Sequence, residues 1–265
     1  MQLISCHGGK LLTLDAPGAD VAALPARKDD ALATGLPALD ALAPGGALAR
    51  GVVHELLADP AEGTPLFVAM LLARGTGAPP VLEDPAHGRG ARATGGVAIV
   101  WCDPKAELYP PALAAHGIPL DRLFLLRPGS NAEQTWAVAE CLRCKGVGAV
   151  VAPVGYPLSR VEARRLQLSA ERGGGIGLLL RPLGRASAEH AAVTRWLIRP
   201  AAGERTVQRW SIQLVHGHGG RVGQSVILEY SRETNRVRAV EQLADRAGEK
   251  EAAGRQSRPG LRVPA

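Results

Sequence analysis

The amino-acid sequence predicts an α/β fold, a mostly parallel twisted sheet with helices on both faces, followed by a β-meander. Three observations carry that expectation. Five short apolar runs alternate with segments of helical character between residues 52 and 180. These runs are nearly continuous, the pattern of strands buried on both faces. After residue 206 the pattern changes to short strands separated by turn residues.

The elements follow in order. Residues 52–57 read as a buried strand. Thr64 as N-cap and Pro65 at the first helical position open a helix to about residue 74. Residues 97–102 form a second strand, and a short helix over 109–116 opens with Pro110 and Pro111 and closes at Gly117. Residues 123–127 form a third strand. Ser130 and Glu133 make a capping-box pattern for a helix reaching residue 145, where Gly146 stops it. A fourth strand spans 147–152. Ser159 and Glu162 make a second capping box, opening a helix to residue 172, and the glycines at 173–175 lead into a fifth strand over 176–180. The meander comprises 207–215, 226–231 and 236–240, with turns at 217–220 and 233–235. The expected organisation is a loosely held arm over 1–30, a core over 31–200 with a flexible loop at 76–96, a meander over 201–244 and a disordered tail over 245–265.

Bulk properties narrow the function classes. Apolar residues make up 46% of the 265, enough for a real core, and it is aliphatic because the chain has only nine aromatics. The longest apolar run, residues 66–73, is too short to span a bilayer, and the N-terminus lacks a signal-peptide pattern, so a cytoplasmic protein is expected. The four cysteines do not make a disulfide scaffold. Cys141 and Cys144 have CxxC spacing but no second pair to complete a zinc site, and they fall late in a helix, unlike a redox motif. They read as two half-buried thiols. The net charge of +6 is uneven: residues 1–154 carry −3, and residues 155–265 carry +9. That asymmetry suits nucleic acid or an acidic partner, or simply a solvated basic surface.

Two strings are specific in combination. The first is TGLPALDAL at 34–42, followed by GG at 45–46, RG at 50–51 and EL at 55–56. The second is VAIVWCD at 97–103, followed by ELY at 107–109 and GIPLDRL at 117–123. Together they resemble the entry to the RecA fold and its next strand. DPKAELYPPAL at 103–113, RP at 127–128, RRLQLSAE at 164–171 and LRP at 180–182 resemble the ImuA family, RecA-like accessory proteins of bacterial mutagenesis cassettes. The resemblance covers residues 34–240, apart from the loop at 76–96.

The resemblance locates a phosphate loop, and its chemistry is missing. A working loop reads G-x-x-x-x-G-K-[ST], with backbone N–H groups around the phosphates, a lysine on their charge and a hydroxyl on the metal. The matching stretch is ADPAEGTP at 58–65. Ala58 stands at the first glycine, Gly63 keeps the second, Thr64 replaces the lysine and Pro65 the metal-binding hydroxyl. Pro60 and Pro65 each lack an N–H. Asp59 and Glu62 place negative charge where a polyphosphate would sit, at about 3 kcal/mol per charge pair near 5 Å before screening. The position of the recombinase catalytic glutamate, two residues after Asp103, holds Lys105. The metal-orienting aspartate falls near Ala152 and Pro153, where no carboxylate stands. No cofactor, metal site or catalytic residue is therefore expected.

Two decoys resolve the same way. HGGRVGQS at 218–225 imitates a phosphate loop but leads into a strand, so no helix N-terminus faces it. His216 and His218 lack further ligands for a metal.

The ImuA resemblance implies a non-catalytic RecA-fold adaptor in damage-induced (SOS) translesion synthesis and mutagenesis. It implies as partners the polymerase-like protein ImuB, an error-prone replicative-type DNA polymerase and RecA, with nucleoid association during the damage response. An active DNA-dependent ATPase and a stand-alone SOS or cell-division regulator remain the alternatives. Candidate partner or DNA contacts are Arg160, Arg164 and Arg165 on the 159–172 helix, where Val161, Leu166 and Ala170 are expected to face the sheet. Arg232, Arg236 and Arg238 of the meander form a second candidate group, with the basic tail beyond them.

Overall fold

The structure is a computed structural model that describes residues 2–7, 10–14, 31–58, 64–75, 97–183, 192–203 and 207–240. The loop expected at 76–96 and the tail expected at 245–265 lie outside these residues. In chain order the strands are β1 (Gln2–His7), β2 (Lys10–Leu14), β3 (Ala31–Leu32), β4 (Leu48–Ala49), β5 (Val52–Leu57), β6 (Ala98–Cys102), β7 (Leu123–Arg127), β8 (Val147–Pro153), β9 (Ile176–Arg181), β10 (Thr194–Ala201), β11 (Val207–Gly217), β12 (Ser225–Ser231) and β13 (Arg236–Val240). The helices are α1 (Pro37–Asp40), α2 (Thr64–Gly75), α3 (Pro110–Ala115), α4 (Asn131–Arg143) and α5 (Arg160–Gly173).

Eleven strands form one sheet in the order β13-β12-β11-β10-β5-β9-β8-β6-β7-β1-β2. From β10 through β7 the neighbours pair in parallel, and both flanks are antiparallel. Three features differ from the sequence reading. The segment expected as an arm carries β1 and β2, and β1 pairs with β7 from Gln2↔Arg127 to Ser5↔Phe124. Residues 194–201, unassigned from sequence, form β10, whose burial alternates through Thr194, Trp196 and Ile198. The meander extends the core sheet. β10 joins it to β5 in one continuous sheet, and a boundary at residue 200 falls inside a strand.

Both serines cap their helices as the sequence suggests, and on α5 the full capping box forms. Ser130 Oγ accepts from Glu133 N at 3.2 Å, and Glu133 Oε2 reaches back to Gly129 N at 2.7 Å. Ser159 and Glu162 form the reciprocal pair on α5. Helices α4 and α5 cover one face, over a core that includes Val53, Val100, Leu142, Val150, Leu166 and Leu179. They pack so closely that a Cβ on Gly173 would lie 1.9 Å from the Leu142 carbonyl oxygen.

Helix α2 lies on the other face and is apolar all round, the pattern of a helix with no solvent side. Val68 and Ala69 are fully buried, and Phe67 meets the Trp210 ring with centroids 6.0 Å apart. The hairpin of β12 and β13 reaches across to α3. Asn235 Nδ2 donates to the Ala115 carbonyl at 2.7 Å, and Tyr230 stacks edge-on against His116. Five strands separate β12 from β6, so this contact requires the sheet to curl around α2.

The seam between β5 and β10 holds a buried polar relay. Trp196 Nε1 donates to Thr194 Oγ1 at 2.7 Å, Thr194 Oγ1 lies 2.6 Å from His54 Nδ1, and His54 Nε2 lies 2.9 Å from the Ala49 carbonyl. A neutral imidazole protonated on Nε2 satisfies every member. Burial accordingly pushes the His54 pKa down to about 4.

Two predictions follow from this packing. The folded state takes up the His54 proton only below about pH 4, whereas the unfolded chain takes it up near 6.5. Stability therefore falls as the pH drops through that window, by up to ~3 kcal/mol. Denaturant titrations between pH 7 and 4 will show that fall, and H54Q will flatten it. G173A will lose about 3 kcal/mol by overpacking against a backbone carbonyl, measured as a lower Tm.

Candidate functional site

In open α/β sheets ligands sit beyond the carboxyl ends of the parallel strands. Here protein groups engage those ends. At the end of β5 the Ala58 N–H donates to the Arg181 carbonyl at 3.0 Å, which extends the pairing of β5 with β9 by one residue. Residues 59–63, including Gly63, lie outside the described residues. Thr64, at the lysine position, is 2% exposed and opens α2 beneath the curled sheet. Pro65 follows half-buried, with no N–H to offer.

The other strand ends are occupied too. At β6, Asp103 Oδ1 accepts from the N–H groups of Glu107 and Leu108 at 2.9 and 3.2 Å, and Oδ2 lies 3.4 Å from Arg127 Nη2. The carboxylate thus caps the following turn and pairs with the end of β7. Lys105 projects into solvent from that turn. At β8, the Pro153 carbonyl accepts from Gln134 Nε2 of α4 at 2.6 Å, and Val154 N donates to Leu180 O at 2.8 Å. At β9, Arg181 is only 3% exposed and donates from Nη1 to the Tyr156 carbonyl at 3.1 Å. The Tyr156 hydroxyl lies 2.9 Å from Thr135 Oγ1 and reaches the Asn131 carbonyl. The crevice is laced by contacts between α4, the β8–α5 turn and β9. Sequence reasoning missed Gln134 and Arg181, because nothing local marks a polar side chain that finds its partner on a distant strand.

The basic candidates divide into two separate surfaces. Arg160, Arg164 and Arg165 share the exposed side of α5. Arg164 is 63% exposed at 3.9 Å from Glu171, and Arg165 is 49% exposed at 3.7 Å from Glu140. One expectation for this helix is corrected. Leu166 and Ala170 face the sheet, but Val161 is 78% exposed. Its place is taken by Gln167, whose Oε1 accepts from Val53 N at 3.1 Å. Val161 lies a helical turn and a half from Leu166, on the opposite side of the wheel.

Arg232 and Arg236 are exposed on the β12–β13 hairpin, far from α5. Arg238 is committed: its Nε and Nη2 donate to Glu229 Oε1 at 2.8 and 2.5 Å. Glu229 also takes Arg209 on its other oxygen, and these hydrogen bonds, Arg209 first, hold its carboxyl below the usual carboxylate range.

The Gly-rich decoy lies where the sequence reading puts it, in a connection between two strands. The HGGRVGQS segment is the β11–β12 connection, anchored by Arg221 N to the Leu42 carbonyl at 2.9 Å. Among the described residues no cluster of histidine, cysteine or carboxylate side chains could hold a metal. Cys141 and Cys144 are half-buried free thiols, and burial pushes the Cys141 and Cys102 thiols up to about 12. Among the described residues no helix is long and apolar enough to cross a membrane.

The strand ends yield a prediction. T64K puts an ammonium at a buried helix start and leaves the carboxylates of Asp59 and Glu62 in place. It will lower the Tm, and calorimetric titration with ATP and Mg²⁺ will show no binding.

No family model matches the chain. The crystal structure of the RadB recombinase superposes with a TM-score of 0.56 at 13% identity, covering 79% of this chain and all of that one, so the core is RecA-like. Protein ImuA of Caulobacter vibrioides, in strains NA1000 / CB15N and ATCC 19089, is 32% identical over 232 residues, covering 81% of this chain and 90% of the relative. At that identity and coverage, the chain belongs to the ImuA family.

Proposed function

We propose that this protein is a non-catalytic RecA-fold adaptor in damage-induced translesion DNA synthesis. It would bridge an ImuB-type polymerase-like protein, an error-prone DNA polymerase and RecA. Membership in the ImuA family supports the setting. The observation that carries the non-catalytic part is the buried, neutral start of α2. Thr64 is 2% exposed where a phosphate loop needs a solvent-facing lysine. The capped Asp103 and the Gln134–Pro153 bond at the neighbouring strand ends agree with it.

With hydrolysis set aside, function moves to outer surfaces. The exposed side of α5 offers three arginines, and the ion pairs of Arg164 and Arg165 are long, so a partner carboxylate or phosphate can compete for those two. The same helix exposes Val161 and Leu168, and the neighbouring α4 exposes Trp136, at 47%. Exposed tryptophan and arginine side chains are residue types enriched at interface centres.

Two measurements test this reading. Calorimetric titration with ATP and Mg²⁺ is expected to give no heat of binding, while ImuB and RecA co-purify with the chain without nucleotide. ATP binding with turnover, or failure to retain either protein, would falsify the adaptor. The R160A/R164A/R165A variant is expected to weaken partner retention at least tenfold while its thermal transition stays within a degree or two. Unchanged retention would remove α5 from the interface.

A further inference from the structure

We propose that the open face of β10–β13 binds the phosphate backbone of duplex DNA. Side chains alternate across these strands. One set, including Trp196, Ile198, Trp210, Ile212, Leu228 and Val237, is buried against α2 and its surroundings. The opposite set lies beyond the cover of α4 and α5. Its members are half-buried or exposed, except Glu229.

The register fixes their layout. One cross-strand row runs Arg199↔Ser211↔Ile227↔Val240, the next Ala201↔Arg209↔Glu229↔Arg238, and Ser231↔Arg236 lies beyond. Strands stand about 4.8 Å apart and rows about 7 Å apart, so four arginines spread over a surface four strands wide. Glu229 is the single carboxylate on these rows, and it is 3% exposed. It holds Arg209 at 2.6 and 2.7 Å and Arg238 at 2.5 and 2.8 Å. Each guanidinium uses its Nε–Nη2 edge. The pair is thus fixed side by side, and the Arg238 side chain is still 74% exposed. Arg199 and Arg236 are exposed with no ion pair among the described residues. The face carries a net charge of +3 from Arg199, Arg209, Arg236 and Arg238 against Glu229.

The rest of the face selects among anionic partners. Guanidinium groups suit phosphate oxygens, which they meet with paired donors. A protein partner would need apolar anchors, and the large exposed apolar side chains of the described residues, such as Tyr109, Trp136 and Val161, lie elsewhere. A single strand would need rings on which bases stack, and these rows hold none. A duplex keeps its bases stacked and offers two lines of phosphate to a basic surface. Recognition by Arg199, Arg209, Arg236 and Arg238 is sequence-independent, with Glu229 as a positioning residue.

The full chain, free of partners, is titrated against a fluorescein-labelled 20-base-pair duplex, with anisotropy read from 50 to 200 mM salt. R199A/R236A removes the two arginines without a described partner. It is expected to weaken binding and to make the log–log salt dependence shallower by about 1.8, at 0.9 per phosphate contact. R199E/R236E weakens binding further, with an unchanged thermal transition showing that both variants fold. R143A/R172A removes the same charge from the helical face and leaves the slope unchanged. An unchanged slope in R199A/R236A overturns the proposal, as does absence of duplex binding at 50 mM salt. Equal or tighter binding of a 20-nucleotide single strand, or of poly-glutamate, overturns the assignment to duplex. This result is independent of the adaptor reading: a chain that retains ImuB and RecA but ignores the duplex sinks this inference alone.

Discussion

Burial of helix α2 is the constraint on which the rest of the molecule depends. A helix apolar on every side cannot rest on a flat sheet with its back in water. The chain meets this by extending its parallel sheet through β10 into four antiparallel-linked strands that bend over the helix. Trp210 closes on Phe67, and Asn235 fastens the far hairpin to α3. The same enclosure buries Thr64. A phosphate loop needs its helix start open to a charged ligand and water. In this protein the corresponding residue, Thr64, is enclosed.

The polar groups at the strand ends follow the same logic. Buried hydrogen-bonding groups seek partners, and at these strand ends other protein groups supply them. Asp103 turns to the N–H groups of its own loop, Gln134 to the Pro153 carbonyl, and Arg181 to the Tyr156 carbonyl. Each contact also ties a helix or turn to the sheet. The result joins α4, α5 and the strand ends into one unit and leaves the outer sides of α5 and the meander available for contacts.

Much of this fold was legible in the sequence. The central strands were visible because burial on both faces demands continuous apolar runs, and α4 and α5 because Ser130–Glu133 and Ser159–Glu162 are local signals. Strand β10 was not, because TRWLIRPA mixes arginines and a proline with its apolar residues, and only pairing with β5 and β11 makes its alternation decisive. Strand β1 likewise depends on a partner more than a hundred residues away, and β2 is held to the sheet through β1. The phosphate-loop substitutions could be read directly, since a missing lysine needs no structure. The Glu229 group could not. Arg209, Glu229 and Arg238 are separated in sequence and become neighbours only through the register of three strands.

The position of β5 has a consequence for how the chain comes to be folded. It lies between β9 and β10, pairing Val52 with Ile176 and His54 with Thr194. Neither neighbour exists until well over a hundred further residues have been synthesised. As the chain emerges from the ribosome, β5 and the apolar α2 behind it must wait with their bonding edges and greasy surface unmatched. Closing such a long loop is slow, and the waiting species exposes the surfaces that drive self-association. Yield of folded protein should therefore depend on translation rate and chaperone supply more than on the stability of the finished molecule.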